Sequence, residues 1–398
     1  MHRRLFVVFF SIAFLTASAF GTTTHKRRHR IVRSTVAGAK VRRVSYTTSI
    51  PTTTAARTTV VRRSVASRRR AVYSPWTSPT FADSTQGDTV DGEDLIARRA
   101  AVQALGPYNG AVIVADPNTG RILSVVNQKL AYTGAFEPCS TIKIVAALAG
   151  LSEGVISQDN AFRLTKRRSM NLTEALARSN NAYFASVGEK LGYDKVVQYG
   201  EMFGLGEKAG LNIEAEQPGL IAPAPPSDGM GMMTSFGEGF SMTPMELTGI
   251  VSAVANGGTL YYLQHPASQA EIDRFVPQVK RELNISPWLT DIKPGMMGAV
   301  EYGTARRAGY SATEPIFGKT GTCTDNRSPT HLGWFGSYNE VNGRKLVVVV
   351  LLTGGYGVSG PIASGVAGNV YKNLSNENYF AQALPQITPT VLVSNPSY

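Results

Sequence analysis

Acidic residues, cysteines and long apolar runs are scarce in this sequence of 398 residues. No Asp or Glu precedes Asp83, whereas sixteen Lys and Arg do, and removing these from the formal net charge of +12 leaves −4 for residues 83–398. The basic character therefore belongs to the N-terminal segment, and the rest of the chain is mildly acidic. The length and the 43% of hydrophobic residues suffice for one sizeable core. No cluster of His and Cys indicates a metal site and no glycine-rich phosphate loop is evident, so we predict neither metal nor cofactor.

The first twenty residues have the composition of an export signal. Arg3 and Arg4 are followed by the apolar stretch Leu5–Leu15 and by the small residues Ala17–Ala19, a typical cleavage site. The apolar stretch is shorter than the about twenty residues that a membrane-spanning helix needs. We therefore expect residues 1–19 to be a cleaved signal peptide, with a short uncleaved anchor as the alternative. In either case the rest of the chain is predicted to be periplasmic or otherwise extracytoplasmic, where disulfides persist.

Residues 20–92 are predicted to be a basic, disordered linker. Up to residue 80 the stretch is rich in Thr, Ser, Arg and Val, has no acids, and shows neither a helical nor a strand period. Its basic clusters are Lys26–Arg28, Arg42–Arg43 and Arg68–Arg70. They are suited to binding nucleic acid, or to binding an anionic membrane surface or wall polymer. The third reading is a solvated linker without a partner. Export argues against nucleic acid.

The folded part is predicted to extend from residue 93 to residue 375, followed by a C-terminal tail over 376–398. Its strand-rich ends and helical middle indicate an α+β fold, in which the terminal strands share one antiparallel sheet flanked by helices and the middle forms a helical lobe. A cleft between sheet and lobe is the expected place for a site. The expected helices cover residues 93–105, 138–151, 172–203, 243–256 and 362–374, and the expected strands 110–116, 121–126, 316–324, 331–338 and 345–353.

Ser140 and Lys143 form the one Ser-x-x-Lys pattern in the chain. A spacing of three on a helix puts both side chains on one face, so that the amine can reach the hydroxyl. A serine hydroxyl is a weak nucleophile that needs a neighbouring base. Lys is such a base only where burial or another cation favours its neutral form. The pattern alone is a weak signal, because a helix N-terminus followed by a solvated Lys has the same sequence.

A second polar group, Gly318–Thr322, lies on a predicted strand. Lys319 with hydroxyls on Thr320 and Thr322 makes a receptor for a carboxylate, and glycine on a strand lets a ligand approach the backbone closely. A polar edge strand is the alternative.

Ser179 and Asn181 form the third group. Ser-x-Asn occurs three times in the chain, so the tripeptide by itself has little weight. The helical stretch Leu172–Arg178 before it and Ala182–Phe184 after it favour this instance. An ordinary helix-capping Ser is the alternative.

In this order, Ser-x-x-Lys, Ser-x-Asn and Lys-Thr-Gly resemble the motifs of the penicillin-binding transpeptidases and the serine β-lactamases. The resemblance continues in Gly110–Gly120, Phe236–Leu247, Gly303–Ala305 and Gly333–Phe335, and it covers roughly residues 93–375. It implies a serine DD-transpeptidase or DD-carboxypeptidase with a β-lactamase/transpeptidase-like fold. The length leaves no room for a glycosyltransferase domain or an extended N-terminal pedestal, so we expect a stand-alone catalytic domain. Such an enzyme acts on the D-Ala-D-Ala ends of peptidoglycan stem peptides and binds β-lactams covalently.

The resemblance also implies a role for each motif residue. Ser140 forms the acyl-enzyme, Lys143 takes its proton, and Ser179 relays a proton towards the leaving amine. The backbone N–H groups of Ser140 and Thr322 form the oxyanion hole. The implied catalytic residues are Ser140, Lys143 and Ser179, and the implied substrate-binding residues are Asn181, Lys319, Thr320, Gly321 and Thr322.

The two cysteines, Cys139 and Cys323, flank two of these motifs. In the family the nucleophile helix and the Lys-Thr-Gly strand line opposite sides of one cleft. The placement is similar to that in one group of class A serine carbapenemases, in which these positions are bridged. The resemblance therefore implies a Cys139–Cys323 disulfide, with two buried thiols as the alternative.

Two other functions stay open at this point. A serine β-lactamase needs a base that activates water, and Glu214 and Glu216 lack the Leu-Asn continuation typical of class A enzymes. The aliphatic residue usual in class D enzymes is also absent, since Asn181 stands there. A non-catalytic sensor of β-lactams or peptidoglycan usually joins a transmembrane transducer, and no such segment is predicted beyond residue 15.

Overall fold

The computed structural model describes residues 78–159, 161–325, 330–355 and 357–381. The predicted signal peptide, linker residues 20–77 and tail residues 382–398 lie outside the described residues. The helices are α1 (Leu95–Leu105), α2 (Gln128–Thr133), α3 (Lys143–Ser152), α4 (Leu172–Ala177), α5 (Asn181–Met202), α6 (Met230–Ser235), α7 (Pro244–Asn256), α8 (Gln269–Asp273), α9 (Ser286–Glu301) and α10 (Gly360–Asn376). Two 3₁₀ helices cover Cys139–Ile142 and Arg306–Ala308. In the part of the chain that the structure describes, no helix is both long and apolar enough to cross a membrane.

Eleven strands lie between and beside these helices in the described part of the chain. They are β1 (Gly110–Ala115), β2 (Ile122–Val126), β3 (Phe162–Thr165), β4 (Arg168–Met170), β5 (Leu220–Ile221), β6 (Phe240–Ser241), β7 (Thr259–Tyr261), β8 (Val279–Glu282), β9 (Ile316–Asp325), β10 (Thr330–Val341) and β11 (Arg344–Gly354). Six of them, β3 to β8, form three small two-stranded sheets. The remaining five form the main sheet.

The main sheet joins strands from both ends of the domain in the order β2-β1-β11-β10-β9. Every neighbouring pair in it is antiparallel. Asn342 and Gly343 connect β10 to β11 with φ angles of 53° and 76°, the left-handed conformation that a two-residue hairpin favours. The α+β fold with one antiparallel sheet is therefore confirmed, and β9 lies at an edge of that sheet.

Strand β11 is buried on both faces, which explains its continuous apolar run over residues 346–352. Val347 and Val349 pack on one face with residues of α3, α5 and α7. Val348 and Val350 pack on the opposite face with α1 and α10. Because side chains alternate along a strand, one apolar strand can serve two cores. The helical lobe lies on the α3, α5 and α7 face.

The helix expected over residues 172–203 is divided into α4 and α5. Ser179 has a φ of 54° and interrupts the helix. The side chain of Asn180 then accepts a hydrogen bond from Tyr183 N at 2.8 Å and caps α5. The capping function considered for Ser179 thus belongs to Asn180, and Ser179 lies in the turn between the two helices.

The folded part begins before residue 93, the predicted start. Asp88 accepts a hydrogen bond from Asn127 N at 2.9 Å and pairs with Arg98 at 2.7 Å. Residues 78–92 lack apolar periodicity, which is why the linker prediction included them. Their polar contacts nevertheless hold them against α1 and the start of α2.

The folded part also extends beyond residue 375. Tyr379 is buried and donates its phenolic hydrogen to Asp94 Oδ2 at 2.6 Å. Tyr379, expected in the tail, therefore packs at the N-terminus of α1.

Candidate active site

Ser140 lies in the 3₁₀ helix Cys139–Ile142, directly before α3. Cys139 has a φ of 51°, so the chain turns sharply just before the serine. Ser140 Oγ lies 2.8 Å from Lys143 Nζ. The hydroxyl also donates to the backbone carbonyl of Ser235, at 3.3 Å. The structure thus places the two residues of the Ser-x-x-Lys pattern within hydrogen-bonding distance.

The amine of Lys143 is fully buried and surrounded by oxygen atoms. Besides Ser140 Oγ, it lies 3.1 Å from both the carbonyl O and the Oγ of Ser179, and 2.6 Å from Asn181 Oδ1. The ring of Phe184 closes another side, with its centroid 5.7 Å from the nitrogen. The other three predicted residues of the two motifs, Ser140, Ser179 and Asn181, therefore meet at the nitrogen of Lys143.

Burial lowers the pKa of both lysines in the site. It lowers the pKa of Lys143 to about 6, and the positive charge of Lys319 contributes in the same direction. Burial also lowers the pKa of Lys319 to about 7. An ordinary lysine has a pKa of about 10.4. At neutral pH Lys143 is therefore mainly a neutral amine with a lone pair, which is the form a general base needs.

Strand β9 forms the other side of the site. Lys319 is fully buried, and its amine donates to the carbonyl O of Thr320 at 3.0 Å. The hydroxyl of Thr320 lies 2.6 Å from that of Thr304. The hydroxyl of Thr322 accepts a hydrogen bond at 2.7 Å from Gly360 N, at the start of α10. Thr322 is exposed whereas Thr320 is buried, so the two predicted carboxylate-binding hydroxyls differ in access.

The nucleophile segment and β9 are in direct contact. A Cβ on Gly321 would lie 3.0 Å from Pro138 O and 3.2 Å from Thr141 Cγ2, so glycine permits the close approach. A disulfide joins Cys139 to Cys323 across the same interface, with Cα atoms 5.7 Å apart. The structure therefore pairs the two cysteines as the resemblance implied.

Ser235 and Thr304 contribute to the site, and the motifs predicted neither of them. Ser235 contributes its backbone carbonyl, which any residue type would supply, so no side-chain motif reveals it. Thr304 lies in Gly303–Ala305, a stretch that resembles the family but carries no implied role. Both become visible only when the three motifs are placed in space.

Comparison with known proteins agrees with this arrangement. The sequence model of the penicillin binding protein transpeptidase domain matches residues 110–376. Stage V sporulation protein D of Bacillus subtilis (strain 168) is 29% identical over 316 residues, covering 68% of this chain and 48% of that protein. The peptidoglycan D,D-transpeptidase MrdA of Haemophilus influenzae is 23% identical over 376 residues, covering 74% of this chain and 56% of that protein. The chain spans about half the length of these curated relatives.

A solved structure supports the fold assignment. The D,D-transpeptidase domain of a peptidoglycan glycosyltransferase from Eggerthella lenta superposes with a TM-score of 0.58, at 20% identity, over 71% of this chain and 82% of that one. At this identity the likeness concerns the fold alone. The family match covers most of the chain and contains all three motifs. The chain therefore belongs to the penicillin-binding protein transpeptidase family.

Proposed function

We propose that this chain is a serine DD-transpeptidase or DD-carboxypeptidase that acts on D-Ala-D-Ala stem peptides of peptidoglycan through an acyl-enzyme on Ser140. β-Lactams would acylate the same residue. One observation carries the proposal: a serine hydroxyl lies 2.8 Å from a fully buried lysine amine. The pKa of that amine, lowered to about 6, makes it a base at neutral pH. Membership of the family supports the substrate class.

Acylation would proceed in two steps around Ser140. Lys143 accepts the hydroxyl proton while Oγ bonds to the carbonyl carbon of the penultimate D-Ala. The C–N bond to the terminal D-Ala then breaks, and its amine leaves with a proton passed from Lys143 through Ser179 Oγ, which lies 3.1 Å from the lysine nitrogen. An acceptor amine or water next attacks the ester, and Ser140 recovers a proton. The amine yields a cross-link, and water yields the shortened peptide.

Substrate binding would use β9. We propose that Lys319, Thr320 and Thr322 bind the terminal carboxylate and that Asn181 holds the substrate amide. The backbone N–H groups of Ser140 and Thr322 would stabilise the oxyanion, and removing one such donor typically costs about 10²–10³ in rate. The disulfide supports this assignment, because it joins the residues immediately next to these two amides.

The remaining segments fit an enzyme that works on the cell wall. Peptidoglycan lies outside the cytoplasm, which agrees with a signal peptide or short anchor over residues 1–19. The basic linker would bring the catalytic domain close to an anionic membrane surface or wall polymer. Both assignments are proposals from the sequence.

Covalent labelling with a fluorescent penicillin tests the proposed function. The unsubstituted chain should be labelled, Ser140→Ala should not, and Ser227→Ala, at an exposed serine, should behave as the unsubstituted chain. Labelling that persists in Ser140→Ala would refute the proposal. Incubation with a D-Ala-D-Ala pentapeptide, with and without an amine acceptor, then separates cross-linking from hydrolysis. Rapid turnover of a chromogenic cephalosporin would instead identify a β-lactamase.

A further inference from the structure

Thr304 lies between α4 and β9, on opposite sides of the site. Its backbone N–H donates to the carbonyl O of Ala177 at 3.1 Å, two residues before Ser179. Its hydroxyl lies 2.6 Å from the hydroxyl of Thr320 on β9. A single residue thus contacts both the end of α4, two residues before Ser179, and the strand that carries the Lys-Thr-Gly motif.

The backbone around Thr304 is held by close packing. A Cβ on Gly303 would overlap the carbonyl oxygen of Ala177 and lie 2.8 Å from Ala299 Cα, so only glycine fits before Thr304. Ala305 N donates to Ala299 O at 2.7 Å, at the end of α9. Thr304 is therefore fixed by α4 on one side and α9 on the other, and its hydroxyl is presented to β9.

Thr320 and Thr322, two of the three threonines on β9, each have a hydrogen-bonding neighbour at the hydroxyl. A carboxylate only accepts hydrogen bonds, so a threonine hydroxyl that binds one must donate its single hydrogen. Gly360 N can only donate, so Thr322 Oγ1 is the acceptor in that contact and keeps its hydrogen for a ligand. Thr320 is only 4% exposed, and its hydroxyl has Thr304 as its neighbour. If Thr304 donates to Thr320, then Thr320 also keeps its hydrogen for a ligand.

We propose that Thr304 is a positioning residue for recognition of the terminal carboxylate of the donor peptide. Its hydroxyl donates to Thr320 Oγ1 and so directs the hydrogen of Thr320 towards the substrate. The hydrogen bond from its backbone N–H to the carbonyl O of Ala177 fixes the position of this donor relative to Ser179. The inference rests on the proposed function and extends it to a residue outside the three motifs.

Steady-state kinetics of the full chain with a D-Ala-D-Ala-terminated peptide tests this role. Thr304→Val keeps the shape of the side chain and removes the hydroxyl, and it should lower kcat/KM about tenfold, as expected for one lost hydrogen bond of about 1.4 kcal/mol. The loss should appear in KM, because the bond acts on substrate binding. Thr304→Ser keeps the hydroxyl and should stay within about twofold of the unsubstituted chain. Thr290→Val, at an exposed position on α9, is the matched control.

A double-mutant cycle with Thr320→Val separates positioning from a general structural effect. If Thr304 acts through Thr320, the double variant should be no worse than Thr320→Val alone. Effects that multiply, or a fall in kcat with KM unchanged, would overturn the inference. Thr304→Ala replaces the valine variant if the latter fails to fold. Absence of penicillin labelling in the unsubstituted chain would remove the proposed function and this inference together, whereas labelling with an unchanged KM in Thr304→Val would remove this inference alone.

Discussion

The rate at which Ser140 is acylated should depend on pH through the charge of Lys143. The neutral amine is the base, and burial together with the charge of Lys319 lowers the pKa of Lys143 to about 6. Acylation should therefore rise about tenfold per pH unit below that value and level off above it. At pH 7 an ordinary lysine, with a pKa of about 10.4, is neutral in only about one molecule in 2,500. With a pKa of about 6, roughly nine molecules in ten are neutral.

Lys319 offers a second perturbation of the same profile. Lys319→Gln removes the neighbouring positive charge, so the pKa of Lys143 should rise and the acid limb should move to higher pH. Burial is the larger cause of the lowered pKa and persists in the variant, so the limb should stay well below pH 10. The variant should also acylate more slowly at every pH, because Lys319 is proposed to bind the carboxylate.

The assay is the second-order rate constant for fluorescent penicillin incorporation between pH 4.5 and 9. Lys143→Arg should be inactive throughout, since a guanidinium does not release its proton in this range. Lys129→Arg, at an exposed lysine of α2, should reproduce the unsubstituted profile. A flat profile, a rate that still rises about tenfold per pH unit at pH 9, or an active Lys143→Arg would refute the assignment of Lys143 as the base.

Three further predictions concern stability. Lys143→Met should abolish acylation and raise the thermal midpoint at pH 7. The pKa of Lys143 is about 6 in the folded chain and about 10.4 in the unfolded chain. Between these values the unfolded chain binds more protons, so the stability of the unsubstituted chain rises with pH. The gain should shrink by pH 9.5, and a pH-independent gain in thermal scans would contradict this reasoning. Cys323→Ser opens a disulfide that spans 184 residues and should cost up to about 5 kcal/mol of unfolding free energy. If reductant leaves the denaturation curve of the unsubstituted chain unchanged, the disulfide does not stabilise the fold in this way. The Glu246 carboxylate accepts hydrogen bonds from three backbone N–H groups. Glu246→Ala should therefore lower the free energy of unfolding in urea by at least about 2 kcal/mol, and Glu246→Gln should lower it less. Equal losses in the two variants would contradict this account.

Local sequence signals predicted those elements whose residues carry their own pattern. Asn342 and Gly343 placed the β10–β11 hairpin, and the apolar run that follows placed β11. Helix α9 was not predicted, because Pro287 and Pro294 interrupt its sequence. Pro287 lies in the first turn, where its missing N–H costs no helical bond, while Pro294 is inside the helix. Residues 78–92 were assigned to the linker because their sequence has no apolar period. The polar contacts that hold them in place are not visible in the sequence.

Side-chain motifs predicted most of the site because its chemistry depends on residue type. Ser140, Lys143 and Lys319 can each be found from the sequence, since a hydroxyl or amine at fixed spacing is part of the pattern. The carbonyl of Ser235 cannot, because every residue has one and only tertiary packing selects it. Thr304 is an intermediate case: the sequence shows that a hydroxyl stands there, but not that it contacts the hydroxyl of Thr320 on β9.

The chain has two cysteines, and the disulfide uses both. Oxidation within one molecule therefore has a single possible product, and there is no wrong isomer for an isomerase to reshuffle. In the folded chain the two cysteines are brought together where β9 packs beside the nucleophile segment, so the closed bond holds these two parts of the site together. The competing product is a covalent dimer between two unfinished chains. Yield of the native bond during preparation should consequently depend on how dilute the folding protein is kept.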